Sequence, residues 1–538
     1  MKHFYIGCIT LLSLALWSCS QPPETAVEQE VQASPIDSAY YQELYRPAYH
    51  FSPQENWMND PNGLVYFDGE YHLFYQYNPQ GIQWGNMSWG HAVSTDLVHW
   101  EHLPIALEME DGIMIFSGSA VVDQNNSSGL CESPEGCLVA IYTAHTDALQ
   151  NQAIAYSNDR GRTWTKYEGN PVLDENMKDF RDPKVFWYEE GQKWVMSVAI
   201  PQEQKIRFYE SQNLTDWEMM SEFGPQGFVD GIWECPDLFP LQVAETGEEK
   251  WVLIVSYNTD SIGSSMQYFV GDFNGREFTN TNTDDLMLTL DYGRDFYAGV
   301  TWNNVPGERR LLIGWINNWQ YGEEIPTSPW RSAQSLVREL DLHEFPEGTR
   351  LTQTPVEELT RLRQQHVHDE NVQLQEGDNY LSLENIQGKQ LEIIAEFAYE
   401  AIDTQSEAEA LAGEFGVKVF KGEGQETTIS YDVATQSLFM DRTQSGDTSF
   451  HDTFSERTVA LMPTDDGTVS LHIYVDHSVV EVFGNDGYVA MTNRIFPDPS
   501  QDGVEIYAIG GTVTLKSLDI WEVNSIWNPL SANKQKAE

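Results

Sequence analysis

The sequence predicts an all-β protein in two parts, a five-bladed β-propeller followed by a C-terminal β-sandwich, and three observations carry that expectation. First, four stretches look alike: "STDLVHWEHL" (94–103), "SNDRGRTWTKY" (157–167), "SQNLTDWEMM" (211–220) and "GDFNGREFTN" (271–280). Each is a polar turn followed by an aromatic, Trp100, Trp164, Trp217 or Phe278, that begins an outgoing strand. Second, the runs between them, "LVAIYTAH", "KWVMSVAI" and "KWVLIVSYN", read as short buried strands. A β-repeat of this length, recurring about five times over roughly 300 residues, fits propeller blades. Third, 39 Gly, 24 Pro and 12% aromatic residues suit many strands joined by turns, and 538 residues exceed what one hydrophobic core usually serves.

Taken in order, residues 1–19 carry one Lys and an apolar run too short for a spanning helix, and they end at Ser18-Cys19. A small residue before Cys resembles a bacterial lipoprotein processing site, so Cys19 is the expected lipidation point of an exported protein. Residues 20–44 are polar, acidic and Pro-bearing, a flexible tether. The propeller is expected over 45–350. Near its start, Asn59-Asp60-Pro61-Asn62-Gly63 reads as a tight turn, and Asp68-Gly69 as the turn of the next hairpin. "CESPEGC" (131–137) suits a small disulfide in an oxidising compartment. A linker helix over 351–365 is expected from Thr354 as N-cap, Pro355 at N1 and Glu357 closing a capping box. Residues 366–538 alternate apolar and polar, most clearly at 469–487, as sandwich strands do. His366 and His368 read as a solvated linker pair, and no metal or cofactor is expected. A net charge of −53 argues against a nucleic-acid partner.

Measured against the aromatic of its own repeat, each of Asp60, Asp182 and Glu234 falls at the beginning of a blade, in the contexts "WMNDPNG", "FRDPKVF" and "IWECPDLF". Early propeller strands line the central channel, so three acids from equivalent positions of three blades would converge at its mouth. Convergent carboxylates suit glycoside hydrolysis, one acting as nucleophile or base and another as acid. Glu234 follows Trp233 and suits the acid; Asp60 lies among Asn59, Asn62 and turn amides and suits the ionised form. Arg181 is expected to hold Asp182 charged, and Cys235 to be a buried neighbour of Glu234 rather than a nucleophile.

These motifs, with "FYQYNP" (74–79), "WGNMSWGHAVSTDLVHWEHLPIAL" (84–107), "FSGSAV" (116–121) and "DFYAGVTW" (295–302), resemble glycoside hydrolase family 32, the β-fructosidases, densely over about 48–345 and more loosely beyond. The resemblance implies that Asp60 is the nucleophile, Glu234 the acid/base and Asp182 a transition-state stabiliser, with the first two carboxyls ~5 Å apart as retention requires. It implies that Asn59, Gln76, Trp84, Phe116, Ser117, Arg181, Tyr297 and Trp315 line a fructose pocket. The segment at 84–107 is most like exo-acting levanases and exo-inulinases, so fructan or sucrose is the expected substrate and the lipid anchor the only membrane association. Where the family often has "WGPMHWGHA", this chain has Asn86 and Ser88, which puts specificity for the second sugar in doubt. The rivals are a non-catalytic fructan-binding lipoprotein, an endo-acting fructanase, and a five-bladed arabinan or xylan hydrolase.

Overall fold

The computed structural model describes residues 40–283, 286–375, 379–380, 388–399, 413–464 and 466–527. Cys19, and the leader and tether up to residue 39, lie outside the described residues.

Five antiparallel sheets succeed one another along the first part of the chain. Their first strands are Asn56–Phe67, Met114–Val122, Arg181–Tyr188, Ile232–Gln242 and Tyr297–Thr301. Each first strand touches that of the next sheet, and the fifth touches the first, so the five close into a ring. Trp330–Arg331 pairs in parallel with the start of the first strand, where the ring shuts. The second strands include Leu138–His145, Lys193–Ile200 and Glu249–Thr259, the apolar runs read as buried, and most of their side chains are buried. Trp100, Trp164 and Trp217 immediately precede the fourth strands of their blades, and Phe278 opens one. The repeat visible in the sequence is therefore the entry to each outer strand.

Two local expectations change. Asn59–Gly63 is not a turn: the first strand runs through it, with register slips on both sides. The hairpin turn comes only at Asp68-Gly69, both at positive φ (48° and 88°). Residues 348–355 form the last strand of the fifth blade rather than the start of a helix. Beyond that strand lies a short 3-10 turn, Glu357–Leu362, capped by extended Val356 without a side-chain hydrogen bond. Thr354 pairs with Glu339 across that blade, so it cannot cap a helix.

Two six-stranded sheets make up the second part. One has Arg363–Leu374 at its edge, next to Val513–Val523. His366 and His368 lie on this edge strand, not in a linker. The inward faces bury a single cluster that includes Phe397, Phe415, Val417, Ile473 and Leu515. Propeller and sandwich share a second core in which Phe51, Trp302, Tyr474, Phe483 and Trp527 meet. A buried ion network crosses the same boundary. Arg338 of the fifth blade binds Asp291 at 2.9 Å and Glu481 of the sandwich at 2.6 Å, and His50 sits between Asp476 and Glu481.

Candidate active site

All five first strands carry the same irregularity at one level of the ring. Two residues oppose one on the second strand: 59–60, 116–117, 182–183, 235–236 and 298–299. Such bulges re-aim side chains that a regular pleat would alternate between faces. Asp182, Cys235 and Ala298 take positive φ (64°, 48° and 51°) at these points. Pro61, Pro183 and Pro236 follow in three of the strands, each lacking the N–H that the broken ladder leaves without a partner. In the first strand the second slip falls at Gly63, φ 56°, where an added Cβ would stand 2.5 Å from the Phe74 ring.

The bulges bring Asp60, Asp182 and Glu234 to one cavity of about 340 Å³, a volume that suits a small sugar. The three do not occupy equivalent positions. Glu234 precedes its bulge as Arg181 does, whereas Cys235 takes the place of Asp182. That offset sets Arg181 beside Glu234: its Nε donates to Glu234 Oε1 at 2.9 Å, while its Nη1 reaches Asp179 at 3.1 Å. Tyr297 donates its hydroxyl to Glu234 Oε2 at 2.5 Å. Both carboxylate oxygens of Glu234 are thus held before any substrate arrives.

Asp60 is held as firmly. Ser117 donates to its Oδ2 at 2.6 Å and Asn59 to its Oδ1 at 3.0 Å; Trp57 fixes Asn59 by donating to its Oδ1 at 2.7 Å. The Cys235 thiol lies 3.6 Å from Asp60 Oδ2 and from Asp182 Oδ2, and its backbone N–H donates to Asp182 Oδ2 at 3.0 Å. Cys235 therefore bridges the two aspartates rather than serving Glu234. Burial first, then the charges of Asp182, Asp60 and Glu234, push its thiol far above the ordinary range, so it stays protonated and no nucleophile.

Burial also raises Asp60, opposed by the Ser117 and Asn59 hydrogen bonds. Asp182 is pushed up to about 7, by burial and then by the charge of Glu234. The Arg181 charge lowers Asp182 as expected, but burial and Glu234 outweigh it, and the guanidinium places its hydrogen bonds on Glu234, Asp179 and Gln150 instead.

Of the residues expected around the pocket, Asn59, Gln76, Trp84, Phe116, Ser117 and Arg181 line it. Gln76 is fixed by donating to Ile115 O at 3.0 Å. Phe116 stacks on His145 at 4.0 Å, and Trp84, 39% exposed, meets Phe116 edge-on. Tyr297 stands behind Glu234, outside the lining. Trp315 does not line the cavity either: it is fully buried, donates to Met58 O at 3.1 Å, and packs on Trp57 and Trp319. The ring that does reach the pocket is Trp319, four residues on, joined by His145, Gln150 and Asp179, which sequence reading missed. Trp319 was within reach of it, since "GWINNWQ" offers two Trp to one strand end. Asn86 and Ser88 line nothing here. Asn86 turns back to Asn78, and Ser88 is buried, accepting from Met109 N–H at 2.9 Å. A larger cleft of about 460 Å³ is lined by Trp187, Trp251, Asn303 and Arg310, but by none of the three acids.

A ring of five bulged strands that aims carboxylates into one sugar-sized cavity defines a glycoside hydrolase built on a β-propeller. The chain belongs to glycosyl hydrolase family 32: the family's N-terminal domain matches residues 50–355 and its C-terminal domain residues 358–522. It is 51% identical over 504 residues to a levanase of Bacillus subtilis (strain 168), covering 92% of this chain and 73% of that protein. The crystal structure of the exo-inulinase of Aspergillus awamori superposes with a TM-score of 0.83 at 39% identity, covering 90% of this chain and 100% of that one. A β-fructofuranosidase of Schwanniomyces occidentalis complexed with fructosyl-erythritol gives 0.82 at 34%, covering 91% and 100%.

Proposed function

We propose that this protein is a retaining, exo-acting β-fructofuranosidase that removes terminal fructosyl units from fructans and also hydrolyses sucrose. The observation that carries the reading is the convergence of Asp60 and Glu234, each held through both oxygens, in one cavity with Asp182. The levanase, exo-inulinase and β-fructofuranosidase relatives support the substrate class.

In the first step Asp60 attacks the anomeric C2 while Glu234 gives its proton to the departing glycosidic oxygen, leaving a fructosyl ester on Asp60. Water then attacks C2, Glu234 takes its proton, and the Asp60 carboxylate departs, so two inversions give net retention. Charges favour this division. The charge of Glu234 is one of the influences that raise Asp60, so a protonated Glu234 eases ionisation of Asp60. Burial and the charge of Glu234 favour the protonated form of Asp182, which is suited to hydrogen-bond fructose hydroxyls. Trp84, Phe116 and Trp319 offer faces to the sugar and its neighbour unit. Exo action is supported by the exo-inulinase relatives; at the rim, Trp84 N–H donates to Glu323 at 2.9 Å and ties loops of the first and fifth blades together.

Export fits the Cys131–Cys137 disulfide and the extracellular relatives, and Cys19 is the proposed lipid anchor. Cys19→Ala is expected to move the protein from the membrane to the soluble fraction. The deciding experiment is a product time course on levan, inulin and sucrose. Fructose alone from the earliest points supports exo action, early oligosaccharides make the enzyme endo-acting, and no release from any substrate removes the hydrolase reading. NMR of the first-formed anomer tests retention.

A further inference from the structure

The edge strand of the sandwich carries a group with no part in this chemistry. His366 and His368 lie two residues apart on Arg363–Leu374 and therefore on one face of the strand. The antiparallel register sets His368 opposite Asp519 and His366 opposite Trp521 of Val513–Val523. His366 Nε2 and His368 Nδ1 each lie 2.8 Å from the same oxygen, Asp519 Oδ1. We propose that His366, His368 and Asp519 form a site for a divalent transition-metal ion of the zinc type, which pins the edge strand to its neighbour.

Two imidazole nitrogens and a carboxylate oxygen are the donors that zinc and its neighbours prefer, and three protein ligands leave a fourth position for water. The three donor atoms lie within 4.8 Å of one another. Tetrahedral zinc with bonds of roughly 2.0–2.1 Å sets ligand atoms roughly 3.3 Å apart. Each nitrogen must therefore draw back slightly from its 2.8 Å contact with Asp519 Oδ1, while the two nitrogens already lie within 4.8 Å of each other. The His366 ring is already oriented, stacked on Trp521 at 4.6 Å with 3° between planes. Trp521 in turn carries the Arg363 guanidinium 3.9 Å from its ring centre. The site is partly exposed, and a net charge of −53 concentrates cations around the molecule. Without an ion, both histidines must point an N–H at Asp519 Oδ1. The ion replaces both hydrogen bonds, taking one nitrogen lone pair from each imidazole and the Asp519 oxygen as its ligands.

The test is calorimetric titration of the untagged full protein with Zn²⁺ at pH 7.5, paired with thermal unfolding. One ion per chain is expected, with a rise in Tm that EDTA reverses. His368→Gln and Asp519→Asn should each weaken binding at least tenfold and remove the Zn²⁺-dependent rise in Tm while leaving sucrose hydrolysis unchanged. Absence of binding, or binding that survives both substitutions, overturns the proposal.

Discussion

Asp182 follows Arg181 in the chain, yet the guanidinium turns to Glu234 and Asp179, and burial, then the charge of Glu234, push Asp182 up to about 7. A carboxyl whose folded pKa is raised adds stability below its unfolded value, and loses it as pH rises through the folded value. The loss therefore accumulates between about pH 4 and 7 and is complete above. Asp182→Asn is expected to unfold at higher temperature than the natural protein at pH 7.5, by an amount worth roughly 2–4 kcal/mol, with the gain gone near pH 4. Its kcat should fall by a factor of about 100 or more, the scale of losing a group that acts mainly in the transition state. Thermal unfolding at the two pH values checks the first claim, and sucrose kinetics the second. The neighbouring tryptophans separate packing from binding. Trp315→Ala is expected to cost roughly 3–5 kcal/mol of stability, whereas Trp319 is half-buried against Trp57 and Trp315, so Trp319→Ala should cost less and raise KM for fructan. The three acids were legible in the sequence because each stands in an odd Pro-aromatic context. The choice between Trp315 and Trp319 was not, because it depends on where the strand ends, and Arg181's partner was not, because it sits on another blade.

At the scale of the strand, "NDPNG" has turn composition, yet it lies in a first strand whose neighbours on both sides leave no room for a reversal. The chain resolves the conflict by bulging, and the same Pro and Gly that suggest a turn supply what a bulge needs. Propensity identified an irregularity and tertiary packing chose its form, which is why the reading of a turn failed while the placing of Asp60 held. Gly63 makes this testable. At φ 56°, with Phe74 and Trp89 2.5 Å and 2.9 Å from a new Cβ, Gly63→Ala combines backbone strain with overpacking. A loss of roughly 2–4 kcal/mol is expected, with kcat reduced as the strand carrying Asp60 shifts. Denaturant unfolding and sucrose kinetics on one preparation check both; unchanged kcat in a destabilised protein would detach the bulge from the placing of Asp60.

For the molecule as a whole, the two parts are joined by buried charge within an excess of negative charge. His50 is fully buried; burial lowers its pKa, but hydrogen bonds to Asp476 and Glu481 outweigh this and raise it. Its stabilisation is therefore present below the ordinary histidine value of about 6.5 and lost as pH rises through the raised one. Asp476 and Glu481 are buried, which alone would raise them, but His50 holds Asp476, and Arg338 together with His50 holds Glu481, below the usual carboxylate range, so their contribution fades only as pH falls through those lowered values. The junction should be strongest at weakly acidic pH. None of this was legible in the sequence, because His50 and Glu481 stand at opposite ends of the chain. General repulsion among 83 acids against 30 bases also weakens the molecule as pH rises, and so mimics the His50 effect. Salt separates the two: at about 1 M the screening length falls to roughly 3 Å, which suppresses surface repulsion but leaves a fully buried pair nearly untouched. Above about pH 7.5, where the Asp182 loss is complete, the decline in Tm towards about pH 9.5 should persist in 1 M salt for the natural protein and flatten for His50→Gln. If both proteins decline alike, the alkaline loss belongs to the surface and the junction is not its source.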